Sequence, residues 1–243
     1  MYPILFTIGQ FSLYTHGVLA VLGILIGSLL VYRLAKYKGY NTEFLFDNIV
    51  YSVLAGIIGA RITYFVLYHE QFQSLKEIFY LWDGGLVSYG GFIVGGAVFA
   101  LLIKAQKENI LKWLDIYAVA FAAGLFFGRI GNLMAGEYSG IRTFSKLSLN
   151  HQIPVPAYEC LALILILVTL FVTMKKKFKT DGTLFYTMIT MYGGLRFIID
   201  FWRDDSKILG PISFGQIISL AIFIIGAIYL WTKILGHKIR RSK

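Results

Sequence analysis

The chain has 243 residues, 57% hydrophobic and only 15% charged, with a mean hydropathy of +0.68. Soluble domains are about a quarter charged, so that class is excluded. The net charge of +10 could suggest nucleic acid, but the basic residues cluster in short loops between apolar runs, as membrane topology requires.

Seven spans of about twenty residues, the length a bilayer core demands, run over 13–34, 46–68, 86–105, 114–134, 155–174, 183–202 and 214–235. We read 1–243 as a single all-α transmembrane domain, its spans joined on the outside by short outer-face helices or loops. Basic residues follow spans one, three, five and seven, as in Arg33, Lys36 and Lys38 or Lys175, Lys176, Lys177 and Lys179. The opposite loops carry fewer. By the positive-inside rule the N-terminus is expected outside and the C-terminus in the cytoplasm. The first apolar run is long and lacks a small-residue cleavage site, so no cleavable leader is expected. The single cysteine, Cys160, lies in an apolar run and rules out a disulfide framework.

Span one opens with His16 before Gly17. This histidine is either structural or a group that titrates and serves as a base. Span two carries Arg61 with Tyr64 and Tyr68 on the same face, and Gly56 and Ala60 suit close helix packing. Arg61 reads equally as a ligand for substrate and as a structural group bonded to carbonyls. In the following connection, Phe72, Leu75, Ile78, Phe79 and Trp82 fit an amphipathic helix on the outer surface or an ordinary loop. The connection 135–154 reads the same two ways. Span three begins with glycine pairs around Tyr89, whose hydroxyl faces a cavity or joins an interfacial aromatic belt.

The most informative stretch ends span four: Gly124-Leu-Phe-Phe-Gly-Arg129-Ile-Gly-Asn132-Leu-Met-Ala-Gly-Glu137. Helical steps put Arg129 and Asn132 on one face. Arginine within a bilayer costs a few kcal/mol and marks function by default. Its planar fork suits phosphate. The structural alternative is an Arg129–Glu137 ion pair. Span six places Tyr192, Arg196, Asp200 and Arg203 on one stripe. An Arg196–Asp200 pair reduces the cost of burial there and still leaves one excess positive charge. No His, Cys, Asp or Glu residues stand at metal-ligand spacing, and the glycine-rich segments lack a phosphate-loop pattern. Neither a metal nor another cofactor is therefore expected.

At these residues the chain resembles the prolipoprotein diacylglyceryl transferases. Gly128-Arg-Ile-Gly-Asn-Leu-Met-Ala-Gly-Glu-Tyr-Ser-Gly140 is similar to the family signature. Trp82-Asp-Gly-Gly-Leu-Val-Ser-Tyr-Gly-Gly91, Pro154-Val-Pro-Ala-Tyr158-Glu159, Tyr192-Gly-Gly-Leu-Arg196-Phe-Ile-Ile-Asp200-Phe-Trp-Arg203 and Ser213-Phe-Gly-Gln216 resemble further blocks in family order. The resemblance implies a seven-span enzyme of the bacterial inner membrane with its active site toward the periplasmic or outer face. Its expected partners are phosphatidylglycerol, a prolipoprotein lipobox cysteine and membrane lipid, with no nucleic acid. The expected reaction moves a diacylglyceryl group to the cysteine thiol, forming a thioether and releasing glycerol phosphate.

The resemblance and the residues together assign Arg129, Arg196, Tyr89 and His16 to catalysis. Arg129, Asn132, Glu137, Gly140, Tyr192, Asp200, Arg203 and Arg61 are assigned to substrate binding. Many family members have histidine in place of Tyr89 and tyrosine in place of His16. A phenol is a weak base unless cations favour its ionised form, so His16 is expected to share the base role. Asp200 and Pro156 stand where glutamate and glutamine are usual. Two other readings are a diverged paralogue with a different acceptor and a lipid transporter or flippase. A transporter more often shows inverted repeats and broken helices, and no repeat is evident here.

Overall fold

Each predicted span is helical in the computed structural model, which describes residues 2–8, 11–72, 74–80, 84–145, 148–175, 181–204 and 207–241. The helices are α1 (Thr15–Lys38), α2 (Leu45–Leu67), α3 (Ser88–Ala105), α4 (Ile110–Ala135), α5 (Val155–Lys175), α6 (Thr183–Ile199) and α7 (Phe214–Arg241). Six of these are long and apolar enough to cross a membrane. The shorter α6, with 17 residues, runs into a 3-10 turn at Asp200–Trp202, which brings its rise to roughly 30 Å. Large apolar side chains face outward, among them Ile93 at 72% exposed and Leu161 at 63%. Such a surface is a liability in water and the expected one in lipid.

Among the described residues there are three two-stranded antiparallel ribbons, one before α1 and two between helices. They are β1 (Ile4–Ile8) with β2 (Phe11–Tyr14), β3 (Ser139–Arg142) with β4 (Gln152–Pro154), and β5 (Lys207–Leu209) with β6 (Ile212–Ser213). The connection 135–154, read from sequence as a surface helix or an ordinary loop, holds one of these ribbons. The strands have two to five residues, too short for a clear alternating pattern.

Backbone contacts divide the chain into two compact units, one of Met1–Arg33 with Leu114–Lys243 and one of Leu34–Trp113. In the smaller unit, α2 and α3 pack through small residues. A Cβ on Gly59 would lie 2.7 Å from the Gly90 carbonyl oxygen, so both backbones need the hydrogen side chain. Gly56 likewise faces Gly91 and Gly95, the close packing expected of that segment. The fully buried Trp113 is met edge-on by the Tyr40 and Phe44 rings.

The connection after α2 is not an amphipathic α-helix. It forms 3-10 turns at His69–Gln71 and Leu75–Phe79, and Trp82 lies outside the described residues. Arg61 is the physical reason. Its Nε bonds the Ile78 carbonyl at 3.0 Å, and Nη2 bonds those of Glu77 at 2.7 Å and Tyr80 at 2.9 Å. Nη1 bonds the Gly85 carbonyl at 3.1 Å and also that of Gly84. These carbonyls converge on one guanidinium, and that of Glu77 also accepts the Tyr80 N–H at 3.1 Å within the 3-10 turn.

In the larger unit, α1 crosses α4 at a glycine pair, where a Cβ on Gly23 would sit 2.8 Å from the Gly124 carbonyl oxygen. α6 packs on α7 through Gly193, whose added Cβ would lie 2.6 Å from the Ser219 carbonyl oxygen. α7 begins with a reciprocal capping box. The Ser213 N–H donates to Gln216 Oε1 at 2.9 Å, and the Gln216 N–H donates to Ser213 Oγ at 3.3 Å.

Candidate active site

The centre of the larger unit's polar cluster is Glu159, on the second turn of α5 and 5% exposed. Pro154 and Pro156 flank the start of that helix, where a missing N–H removes no helical hydrogen bond. The carboxylate reaches Arg129 Nε through Oε2 at 3.0 Å. Through Oε1 it pairs with Arg196 Nη1 and approaches Arg203 Nη1 at 3.7 Å. Asp200, fully buried, holds Arg196 Nε at 3.0 Å and faces Arg203 Nε at 3.7 Å. The expected Arg196–Asp200 pair is therefore formed, and Arg203 shares the same carboxylate.

Among the described ion pairs, three guanidiniums thus meet two carboxylates in a mostly buried place. A small cavity of about 10 Å³, the size of a single water, lies beside them, lined by Arg129, Glu159, Tyr192, Arg196 and apolar groups of α5 and α6. Low dielectric around such a cluster strengthens its pull on any anion that enters. Arg129 is not paired with Glu137, as the structural alternative had it; its partner is Glu159.

Glu137 instead stands 4.0 Å from His16 Nδ1, both side chains about half exposed. The approach depends on Gly131, whose added Cβ would lie 3.0 Å from His16 Cα. The chain turns sharply there: α4 ends at Ala135, Gly136 takes a φ of 85°, and the Glu137 N–H donates to the Asn132 carbonyl at 2.9 Å. Gly140 lies in β3 and forms a backbone bridge to Arg203, tying the ribbon to the end of the 3-10 turn. Any side chain on Gly140 would collide with the Ile153 backbone. The Tyr158 and Trp202 rings stack 5.9 Å apart beside this bridge.

Arg129, Tyr192, Arg196, Asp200 and Arg203 are therefore brought together, and His16 and Glu137 form a pair in the same unit. Arg61 and Tyr89 belong to the other unit. The nitrogens of Arg61 are engaged by main-chain carbonyls as described above, and Tyr89 sits half exposed in the first turn of α3. Sequence reasoning missed Glu159 as a site residue. The available signal was an acid within an apolar span in a chain whose span arginines outnumbered Asp200.

Fold and cluster define a multi-pass membrane protein with a buried arginine-rich site among its helices. The family model for prolipoprotein diacylglyceryl transferase matches residues 3–232, and the chain belongs to that family. Among similar curated proteins, the phosphatidylglycerol–prolipoprotein diacylglyceryl transferase of Finegoldia magna is 31% identical over 92% of each chain. Its namesake in Clostridium kluyveri is 30% identical over 98% of this chain and all of its own. That of Francisella tularensis subsp. tularensis is 31% identical over 99% of this chain and 96% of its own.

Proposed function

We propose that the protein transfers a diacylglyceryl group from phosphatidylglycerol to the thiol of a lipobox cysteine in a prolipoprotein. The observation that carries this reading is the convergence of Arg129, Arg196 and Arg203 on the buried Glu159 carboxylate beside the cavity. A phosphodiester lipid brings one negative charge, and its phosphate suits the planar guanidinium forks.

In the reaction a base takes the thiol proton, and the sulfur attacks the glyceryl carbon that bears the phosphate. A C–S bond forms, the C–O bond to phosphate breaks, and its electron pair leaves on glycerol phosphate. Negative charge therefore grows on the phosphate, and the three arginines are fixed where that growth is stabilised. Tyr192 lines the same cavity, and Asn132 and Gly140 are the further substrate-binding residues of this reading.

His16, with Glu137 beside it, serves as the base. Tyr89 is the second candidate for that role. Arg61 directs its donors to the carbonyls of Glu77, Ile78, Tyr80, Gly84 and Gly85, which favours a structural role over lipid binding. The site faces the outer side of a bacterial inner membrane, the side given by the loop charges. A transporter or a paralogue with a different acceptor is the competing reading, and product chemistry separates them.

Purified protein incubated with phosphatidylglycerol vesicles and a lipobox peptide should give a peptide heavier by one diacylglyceryl group. The mass should be on cysteine and stable to hydroxylamine, as a thioether is. Vesicle lipid consumed with no thioether would point to another acceptor. His16→Ala should slow the transfer strongly, and an unchanged rate would remove His16 from the mechanism.

A further inference from the structure

α6 begins without a cap of its own. Its N-cap residue is Gly182, with φ 89° and no side chain to accept a hydrogen bond. The acceptor comes from another helix: Asp115, near the start of α4. Its Oδ2 accepts the Gly182 N–H at 2.8 Å, and its Oδ1 accepts the Phe185 N–H at 2.9 Å. These are two of the N–H groups that a helix start leaves unbonded. A carboxylate there also complements the positive end of the helix dipole. The same turn is held from α7, where the Tyr229 hydroxyl donates to the Asp181 carbonyl at 2.8 Å.

The spacing above this pin gives it a consequence. Arg129 lies fourteen residues beyond Asp115 on α4, and Arg196 lies fourteen residues beyond Gly182 on α6. Each step along a helix rises about 1.5 Å, so both arginines stand, by their Cα atoms, about 21 Å along their helices from the pin. At that level they meet the two oxygens of the one Glu159 carboxylate. We infer that Asp115 is a positioning residue: it fixes the lengthwise register of α4 against α6, and so holds Arg129 and Arg196 level at the site. The inference rests on the reading of that cluster as the phosphate site. A slip of one residue moves one arginine about 1.5 Å relative to the other. Misplacement on that scale can cost about a hundredfold in rate.

The test pairs kinetics with a distance. Asp115→Ala should lower kcat by about 10- to 100-fold, with KM for phosphatidylglycerol within about threefold, because leaving-group stabilisation is realised in the transition state. Asp115→Asn, which keeps one acceptor oxygen, should fall between Ala and the parent, and it serves as the test if the Ala variant does not fold. Spin labels at Met134→Cys and Ile198→Cys, in a Cys160→Ala background, should show a shifted or broadened distance when Asp115 is replaced. An unchanged kcat in folded protein would overturn the proposal, as would a lower kcat with an unaltered distance distribution. If the parent protein forms no thioether, the functional reading fails, and the label distance alone still decides whether Asp115 sets the register.

Discussion

Glu159 is the residue on which the three arginines depend. Burying a carboxylate is costly, and Arg129, Arg196 and Arg203 around it offset that cost. Removing one partner of such a cluster typically costs about 3–5 kcal/mol, because the others stay buried and repel. Glu159→Ala should therefore lower the melting temperature in detergent well below that of the parent. Glu159→Gln, which keeps the shape and one acceptor, should lie between them. A Glu159→Ala protein melting at the parent temperature would show that the cluster is not held by this carboxylate. The arginines were legible in sequence because charge within an apolar span stands out. Glu159 and Asp115 are acids in equally apolar spans, and a count of both signs points to them as readily. Which acid meets which arginine was not legible, since Glu159 lies thirty residues from Arg129 and thirty-seven from Arg196, and only the fold joins them.

At the scale of elements, the helices were legible because span length is imposed from outside the chain, by the bilayer. The connections answer to local contacts, which a period of 3.6 or 2 does not report in segments this short. The 69–85 connection shows the difference. Its apolar spacing suits a helix, yet Arg61, 3% exposed, draws five carbonyls onto one side chain. Arg61→Ala should free that backbone, and hydrogen exchange at Glu77, Ile78 and Tyr80 should rise about tenfold or more, since one hydrogen bond to a charged group contributes about 1.5–3 kcal/mol. Unchanged exchange there would mean that the connection is held by other contacts. Arg61→Lys should not restore protection, because a single ammonium cannot span the same carbonyls.

At the scale of the whole molecule, the chain combines a lipid-facing apolar surface with a buried cationic site, and each explains the other. On the proposed reading, acyl chains would stay in the membrane phase while the phosphate reaches the arginines, so the donor lipid would not need to leave the bilayer to react. Family membership and the site geometry meet at one point, the guanidinium of Arg129 beside Glu159 and the cavity. The most direct test of the account is thioether formation measured side by side for the parent, Arg129→Lys and Arg129→Ala, each shown to be folded by its melting curve. The account predicts efficient transfer by the parent, a large drop for Lys, which keeps the charge but loses the fork, and a loss of at least about a hundredfold for Ala. Transfer by folded Arg129→Ala at the parent rate would contradict it.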